Sequence, residues 1–291
     1  MTHHPRRRRG LGHAIGGAGI AATLALTGCS QGVSPQSPGR VAAELPGSHV
    51  HGISRDPGSG KVNLATHTGL FVLQSDGSWQ RVGPEVDLMG FAIVGPGTFY
   101  ASGHPGAGVD LPQPVGLIKS TDAGRTWSIL SRGGESDFHA LTASSTGVMG
   151  FDGALRTTSD GKAWSLGGLN VLPSTLAAAP DGSRVLATTE QGVLSSTDDG
   201  RTWVRLVSAP TLDMAAWADS KTVVGVTNEG RVAVSADAGR TWRSDLATLS
   251  MRGQALSASR DKAGVLEILV VGDRGVLQSR DNGATLTDLR S

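Results

Sequence analysis

From residue 47 onward the chain alternates short apolar runs with polar punctuation. The runs are rich in Val, Leu, Ala and Thr, and Gly or Asp-Gly pairs separate them, which predicts short β-strands joined by tight turns. No stretch sustains the period of an amphipathic helix. Four strands recur as a unit, written A to D from the inside outward. In the first unit A spans His49–Ser54, B Lys61–Ala65, C Gly69–Gln74 and D Ser78–Val82. In the last they are Gln254–Ser259, Leu266–Val271, Gly275–Ser279 and Ala284–Leu289. Both end units read as complete in themselves, which leaves open how a ring of such units closes.

One octet sets the unit boundaries. Ser120–Trp127 reads STDAGRTW, Ser196–Trp203 STDDGRTW and Ser235–Trp242 SADAGRTW. Weaker copies run over Ser75–Trp79, Thr158–Trp164 and Ser279–Leu286. Their closing positions are spaced 48, 37, 39, 39 and 44 residues apart, the length of one four-stranded propeller blade. The pattern predicts an all-β fold, a six-bladed β-propeller of four-stranded antiparallel blades over residues 47–291. Within the octet, Asp76, Asp122, Asp160, Asp198, Asp237 and Asp281 accept hydrogen bonds from backbone N–H groups of the C–D turn. The Gly takes the left-handed conformation there, and the closing Trp packs between sheets from the next strand. This is a hairpin staple and requires no catalysis.

At these residues the chain resembles the Asp-box (bacterial neuraminidase repeat) proteins, a group with sialidases, sortilin-type receptors and a photosystem assembly factor. The nearest likeness is to exported bacterial lipoproteins that carry exo-sialidase or glycosyl-hydrolase labels. The segments HVHGIS, ATHTGLF, ASGHPG, GLIKSTDAGRTW and DFHAL carry it. It covers residues 48–291 and implies the propeller fold without implying one activity.

The N-terminus reads as an address. Arg6–Arg9 form a positive segment, Leu11–Leu26 a short apolar one, and Leu26-Thr27-Gly28-Cys29 a lipoprotein cleavage box. The apolar run is too short for a dedicated membrane span. Residues 1–28 are therefore expected to be a signal peptide, with consecutive arginines also permitting twin-arginine export. Cys29, the single cysteine, excludes an internal disulfide and suits diacylation, which would anchor the exported protein to the outer leaflet of the cell membrane. Residues 29–46 are rich in Ser, Pro and Gly and read as a flexible tether. Arg40–Leu45 could instead add a short strand at the closing seam. Without residues 1–28 the chain keeps 22 Lys and Arg against 25 acids, so no basic surface for nucleic acid is expected.

Candidate chemistry concentrates on one face. Beyond the signal peptide the histidines are His49, His51, His67, His104 and His139, all in the first three blades. Strand order maps each to the end opposite the octet turns, here called the upper face. His49 and His51 lie two apart and should share one side of their strand. At least three imidazoles are expected to approach one point and bind a divalent transition metal, zinc or copper. Asp110 or Asp152 is expected to orient an imidazole through its free N–H. Asp87, Asp137, Asp213, Glu190, Glu229 and Asp273 also fall on upper connections. The Gly- and Pro-rich insert Gly103–Val115 is the connection where function is most expected. The competing reading is that each histidine only caps a strand end.

A sialidase-like glycoside hydrolase is the alternative from another class. The resemblance implies an arginine triad, a Tyr–Glu nucleophile pair and an acid/base Asp for that chemistry. The single tyrosine, Tyr100, lies on a B strand, and Arg125, Arg201 and Arg240 belong to octets. Tyr100 is expected to pack rather than react. Binding therefore ranks above catalysis, with a protein, a glycan or a small molecule as the ligand on the upper face.

Overall fold

The structure, a computed structural model, describes residues 45–47 and 49–290. The signal peptide, Cys29 and nearly all of the tether lie outside the described residues.

The apolar runs pair with their sequence neighbours into six antiparallel sheets. Blade one holds β1 (Val50–Arg55), β2 (Val62–Thr66), β3 (Gly69–Leu73) and β4 (Trp79–Val82). Blade two holds β5 (Val86–Gly95), β6 (Thr98–Pro105), β7 (Leu117–Ser120) and β8 (Ser128–Ser131). Blade three holds β9 (Ala140–Ser144), β10 (Gly147–Phe151), β11 (Leu155–Thr158) and β12 (Ser165–Leu166). Blade four holds β13 (Pro173–Ala178), β14 (Val185–Thr189), β15 (Gly192–Ser196) and β16 (Val204–Arg205). Blade five has β17 (Leu212–Trp217), β18 (Val223–Thr227) and β19 (Val232–Ser235). Its outer segment is attached by two single bridges, Val234 with Arg243 and Arg231 with Thr248. Blade six holds β20 (Gly253–Arg260), β21 (Leu266–Gly272), β22 (Gly275–Ser279) and β23 (Thr287–Asp288). The D strands are shorter than the sequence pattern predicts, two residues in β23 against six.

The core is a set of wedges, one between each pair of adjacent blades. Ala65 and Leu70 of blade one pack with Leu88, Phe99 and Ile118 of blade two. Val50, Ile53 and Leu64 pack with Leu269, Val271 and Val276 across the seam where blade six meets blade one. Each end blade keeps its own four strands, so the ring closes by side-chain packing, with no strand exchanged among the described residues. Leu45 adds to the same wedge. Arg55 reinforces it, donating Nε and a terminal N–H to the two oxygens of buried Glu267 at 2.6 and 2.7 Å. Along the axis, a channel of about 300 Å³ is lined by inner-strand residues both apolar, including Ile53, Phe91, Leu176 and Trp217, and polar, including Ser54, Thr142 and Ser257. Trp217 is buried between blades four and five and donates its indole N–H to Ala177 O at 3.1 Å.

The octet turns work as staples. Asp122 accepts the Thr126 backbone N–H at 2.9 Å and its hydroxyl at 2.6 Å, while the Ser120 hydroxyl accepts the Gly124 N–H at 2.8 Å. Asp198, Asp237 and Asp281 repeat this with Thr202, Thr241 and Thr285. Asp76 and Asp160 hold the shortened turns through Ser78 and through Lys162 and Ala163. The residue before the Gly also adopts positive φ (Ala123, Asp199, Ala238 and Asn282, 58–60°). The closing Trp lies in the turn just before strand D, not within it, in three blades: Trp127, Trp164 and Trp203.

Candidate metal centre

His51 reaches the upper face through a break in pairing. In β1, Val50 pairs with Thr66 and Gly52 with Ala65, which leaves His51 as the extra residue of a β-bulge. Bulges re-aim side chains, so simple alternation from His49 to His51 does not hold here. Val50 N–H is fixed by Gln254 Oε1 at 2.9 Å, which ties this strand end to blade six. His67 opens the two-residue turn between β2 and β3. The Thr66 hydroxyl clamps that turn, donating to Gly69 O at 2.9 Å and accepting Thr68 N–H at 3.1 Å. Asp87 is the second residue of β5.

These three side chains meet. His51 Nε2 lies 3.2 Å from His67 Nδ1, His67 Nδ1 lies 2.8 Å from Asp87 Oδ2, and His51 Nε2 lies 3.6 Å from Asp87 Oδ1. One donor atom from each falls within 4.8 Å of the others. The His51 ring crosses His67 edge-on with centroids 4.4 Å apart, and the His49 ring stands 5.2 Å from His67 on the solvent side. Burial lowers the His51 pKa below 6.5, and the His67 imidazole adds to that, against an opposing pull from Asp87. Both lowering effects favour the neutral imidazole, which has a nitrogen lone pair available to a cation.

His104 and His139 do not join that cluster. Both turn to Asp137, with His104 Nε2 3.0 Å and His139 Nε2 2.6 Å from the same Oδ2. The expected meeting of three imidazoles at one point is replaced by two imidazoles and a carboxylate, beside a second carboxylate between two imidazoles. The two groups adjoin, because Asp87 and His104 are direct partners in the β5–β6 register. Gly103 permits this approach. Its φ is +141°, and a Cβ there would fall 1.9 Å from Asp87 O. Ser102 Oγ accepts the Phe138 N–H at 3.0 Å and so sets the Asp137–His139 segment against β6.

The expected orienting acids are elsewhere. Asp152 accepts the Ser136 hydroxyl and the Arg156 guanidinium, and no histidine reaches it. Asp110 stands exposed on the insert without a bond to any imidazole. Asp87 and Asp137 take the places forecast for them. Both are visible in the sequence only as acids on upper connections, and the useful signal is their position at or just before the start of an inner strand, Asp87 in β5 and Asp137 ahead of β9. The insert delivers His104 at its second position and then packs down. Val109 and Leu111 join the wedge of blades one and two, and Gly106 N–H bonds Glu85 O at 2.8 Å. Tyr100 packs at the wedge of blades two and three, with Lys119 Nζ 5.6 Å from its ring centroid. Arg125 donates to Asp122 O within its own octet.

Solved structures share this architecture. The gluconolactonase XC5397 from Xanthomonas campestris superposes with a TM-score of 0.61 at 11% identity, over 82% of this chain and 86% of that one. The GH74 enzyme of Niastella koreensis gives 0.57 at 16% identity, over 83% of this chain and 37% of that one. This chain thus spans little more than a third of that enzyme. YCF48 bound to D1 peptide gives 0.52 at 16% identity, over 84% and 83%. Identities this low carry the fold alone. No family profile matches the chain, and neither does a curated protein sequence.

Proposed function

We propose that this chain is an exported binding module of the Asp-box propeller type, anchored by lipid at Cys29, that holds zinc or copper on its upper face. His51 Nε2, His67 Nδ1 and one oxygen of Asp87 are the ligands, with His49, His104 and His139 around them. The observation that carries the reading is that one donor atom from each of these side chains lies within 4.8 Å of the other two, with His67 Nδ1 3.2 Å from His51 Nε2 and 2.8 Å from Asp87 Oδ2. Ligands about 2.0–2.1 Å from a tetrahedral zinc lie about 3.3–3.4 Å from one another, so small side-chain movements complete the site. Three protein ligands leave a fourth position for an oxygen or nitrogen of the bound partner. That partner is a protein, a glycan or a small molecule, and the acidic charge balance of the chain without residues 1–28 argues against nucleic acid. A propeller neighbour with a peptide bound supports this use of the fold.

The test is zinc titration of the purified chain by calorimetry, with metal analysis. His51→Ala and Asp87→Asn should each weaken binding at least about tenfold, since losing even a residue behind a ligand costs about 10–100-fold. Unchanged affinity in both variants removes the reading. For the address, Cys29→Ser should move the protein from the membrane fraction to the soluble exported fraction. Glycoside hydrolysis is the second reading, supported by the fold shared with the GH74 enzyme. Glycan turnover that survives metal removal and is lost in Asp137→Asn would favour it.

A further inference from the structure

The second cluster has a proton arrangement that can be worked out. An ionised carboxylate accepts and never donates, so both imidazoles that reach Asp137 Oδ2 do so through Nε2–H. In the neutral rings, both Nδ1 atoms are then bare lone pairs. His104 Nδ1 is shut off from solvent and has no hydrogen-bond partner among protein atoms. The same is true of Asp137 Oδ1 and Asp87 Oδ1. Among the described residues, only one other buried side-chain nitrogen or oxygen is in this condition, Trp79 Nε1. The three acceptors without a donor sit on linked residues, Asp87 opposite His104 in the β5–β6 register and Asp137 bonded to His104.

Their placement is specific. Asp87 and His104 are opposite one another in the β5–β6 register, so their Cβ atoms lie about 4.5–5.5 Å apart on one side of the sheet. Asp87 Oδ2 already faces His67, and Oδ1 lies 3.6 Å from His51 Nε2, beyond hydrogen-bond reach, which leaves Oδ1 without a donor. A histidine whose Nε2–H is held by a carboxylate while the other ring nitrogen is bare has the arrangement of a metal ligand with its orienting partner.

We infer that a second divalent cation binds beside the first, held by His104 Nδ1 and Asp87 Oδ1, with Asp87 bridging the two ions. Asp137 is the positioning residue that fixes the His104 tautomer, and its Oδ1 accepts from a water on the second ion. Carboxylate-bridged ion pairs of this kind stand about 3.5–4 Å apart. The inference rests on the first ion being bound as proposed above. It makes the upper face a two-ion platform suited to a bidentate anionic ligand, a carboxylate or a phosphate group.

The full chain is loaded with copper(II) or zinc, and stoichiometry is read by metal analysis after gel filtration. Two equivalents are expected, with a half-field copper signal in electron paramagnetic resonance from the coupled pair. His104→Ala should retain one equivalent and lose the half-field signal. Asp137→Asn should weaken the second ion about 10–100-fold and leave the first unchanged. Thermal melts of each variant show whether the fold is kept, and the wild-type stoichiometry and half-field signal test the inference without any variant. One equivalent in the wild type, abolished by His51→Ala and indifferent to His104→Ala, overturns the second ion and keeps the first. It would assign the three lone pairs to bound water molecules. No metal in the wild type overturns both readings.

Discussion

Asp87 stands opposite His104 in the β5–β6 register, yet its carboxylate turns to His67 of the neighbouring blade, 2.8 Å from Nδ1. One acid thus spans the seam between blades one and two while its own blade supplies the adjoining imidazole. A cation at His51, His67 and Asp87 would join the two blades, and binding to the folded state alone stabilises by mass action. Zinc at about 100 times its Kd should add about 2.7 kcal/mol, read as a rise in Tm. His51→Ala should abolish most of that gain. An equal rise in the variant would place the ion elsewhere.

Gly103 is the backbone condition for that arrangement. At φ +141°, with a Cβ falling 1.9 Å from Asp87 O, alanine would force β5 and β6 apart where the clusters adjoin. Gly103→Ala should cost about 1–3 kcal/mol in stability through backbone strain. It should also weaken zinc binding, although it removes no ligand. Unaltered affinity in a folded variant would show that the sites do not depend on this approach.

The repeat made the fold legible, because each octet carries its own turn chemistry. Asp122, Asp198, Asp237 and Asp281 bond within their own turns, four residues from acid to threonine. Local chemistry of that kind survives in a linear pattern. The histidines were legible as a group for the same reason, since strand order alone assigns them to one end of the blades. Their partners were not. His51 depends on a bulge, and five of the six inner hairpins shift register, with no local motif to mark it. His104 and His139 share an acid on a third strand end because Ser102 fixes Phe138, a contact across 36 residues. Asp152 was misassigned because Arg156, four residues on, claims it first.

The ring seam gives a prediction about stability. Glu267 is 2% exposed and receives the Arg55 fork from blade one, with Arg280 3.7 Å away. Removing one partner of a buried pair leaves an uncompensated charge, a loss of about 3–5 kcal/mol. Arg55→Ala should fall at the low end, about 3 kcal/mol, because Arg280 remains. Arg55→Met combined with Glu267→Leu should recover much of that loss. Chemical denaturation measures both, and a double variant as unstable as Arg55→Ala would mean the charges themselves close the ring.

The octet acids predict a response to acid. Asp122, Asp198, Asp237 and Asp281 are held at about 2, against an ordinary value of 3.8. The threonine hydroxyl contributes most for Asp122, Asp198 and Asp281, and the Thr241 backbone N–H for Asp237. A carboxylate whose folded pKa is depressed gives stability that is fully present above its unfolded pKa. That stability is lost as pH falls through the folded value. The chain should therefore keep its Tm down to about pH 4 and lose it progressively between about pH 4 and pH 2. Asp122→Asn keeps the shape of the turn but removes one titrating group. Its Tm should be lower than wild type at pH 7, and the two curves should converge near pH 2. Each turn belongs to one blade, so Asp122→Asn and Asp237→Asn should act additively. Parallel curves across the whole range would show that the acid loss arises elsewhere, with the inter-blade carboxylate Asp219 the group to test next.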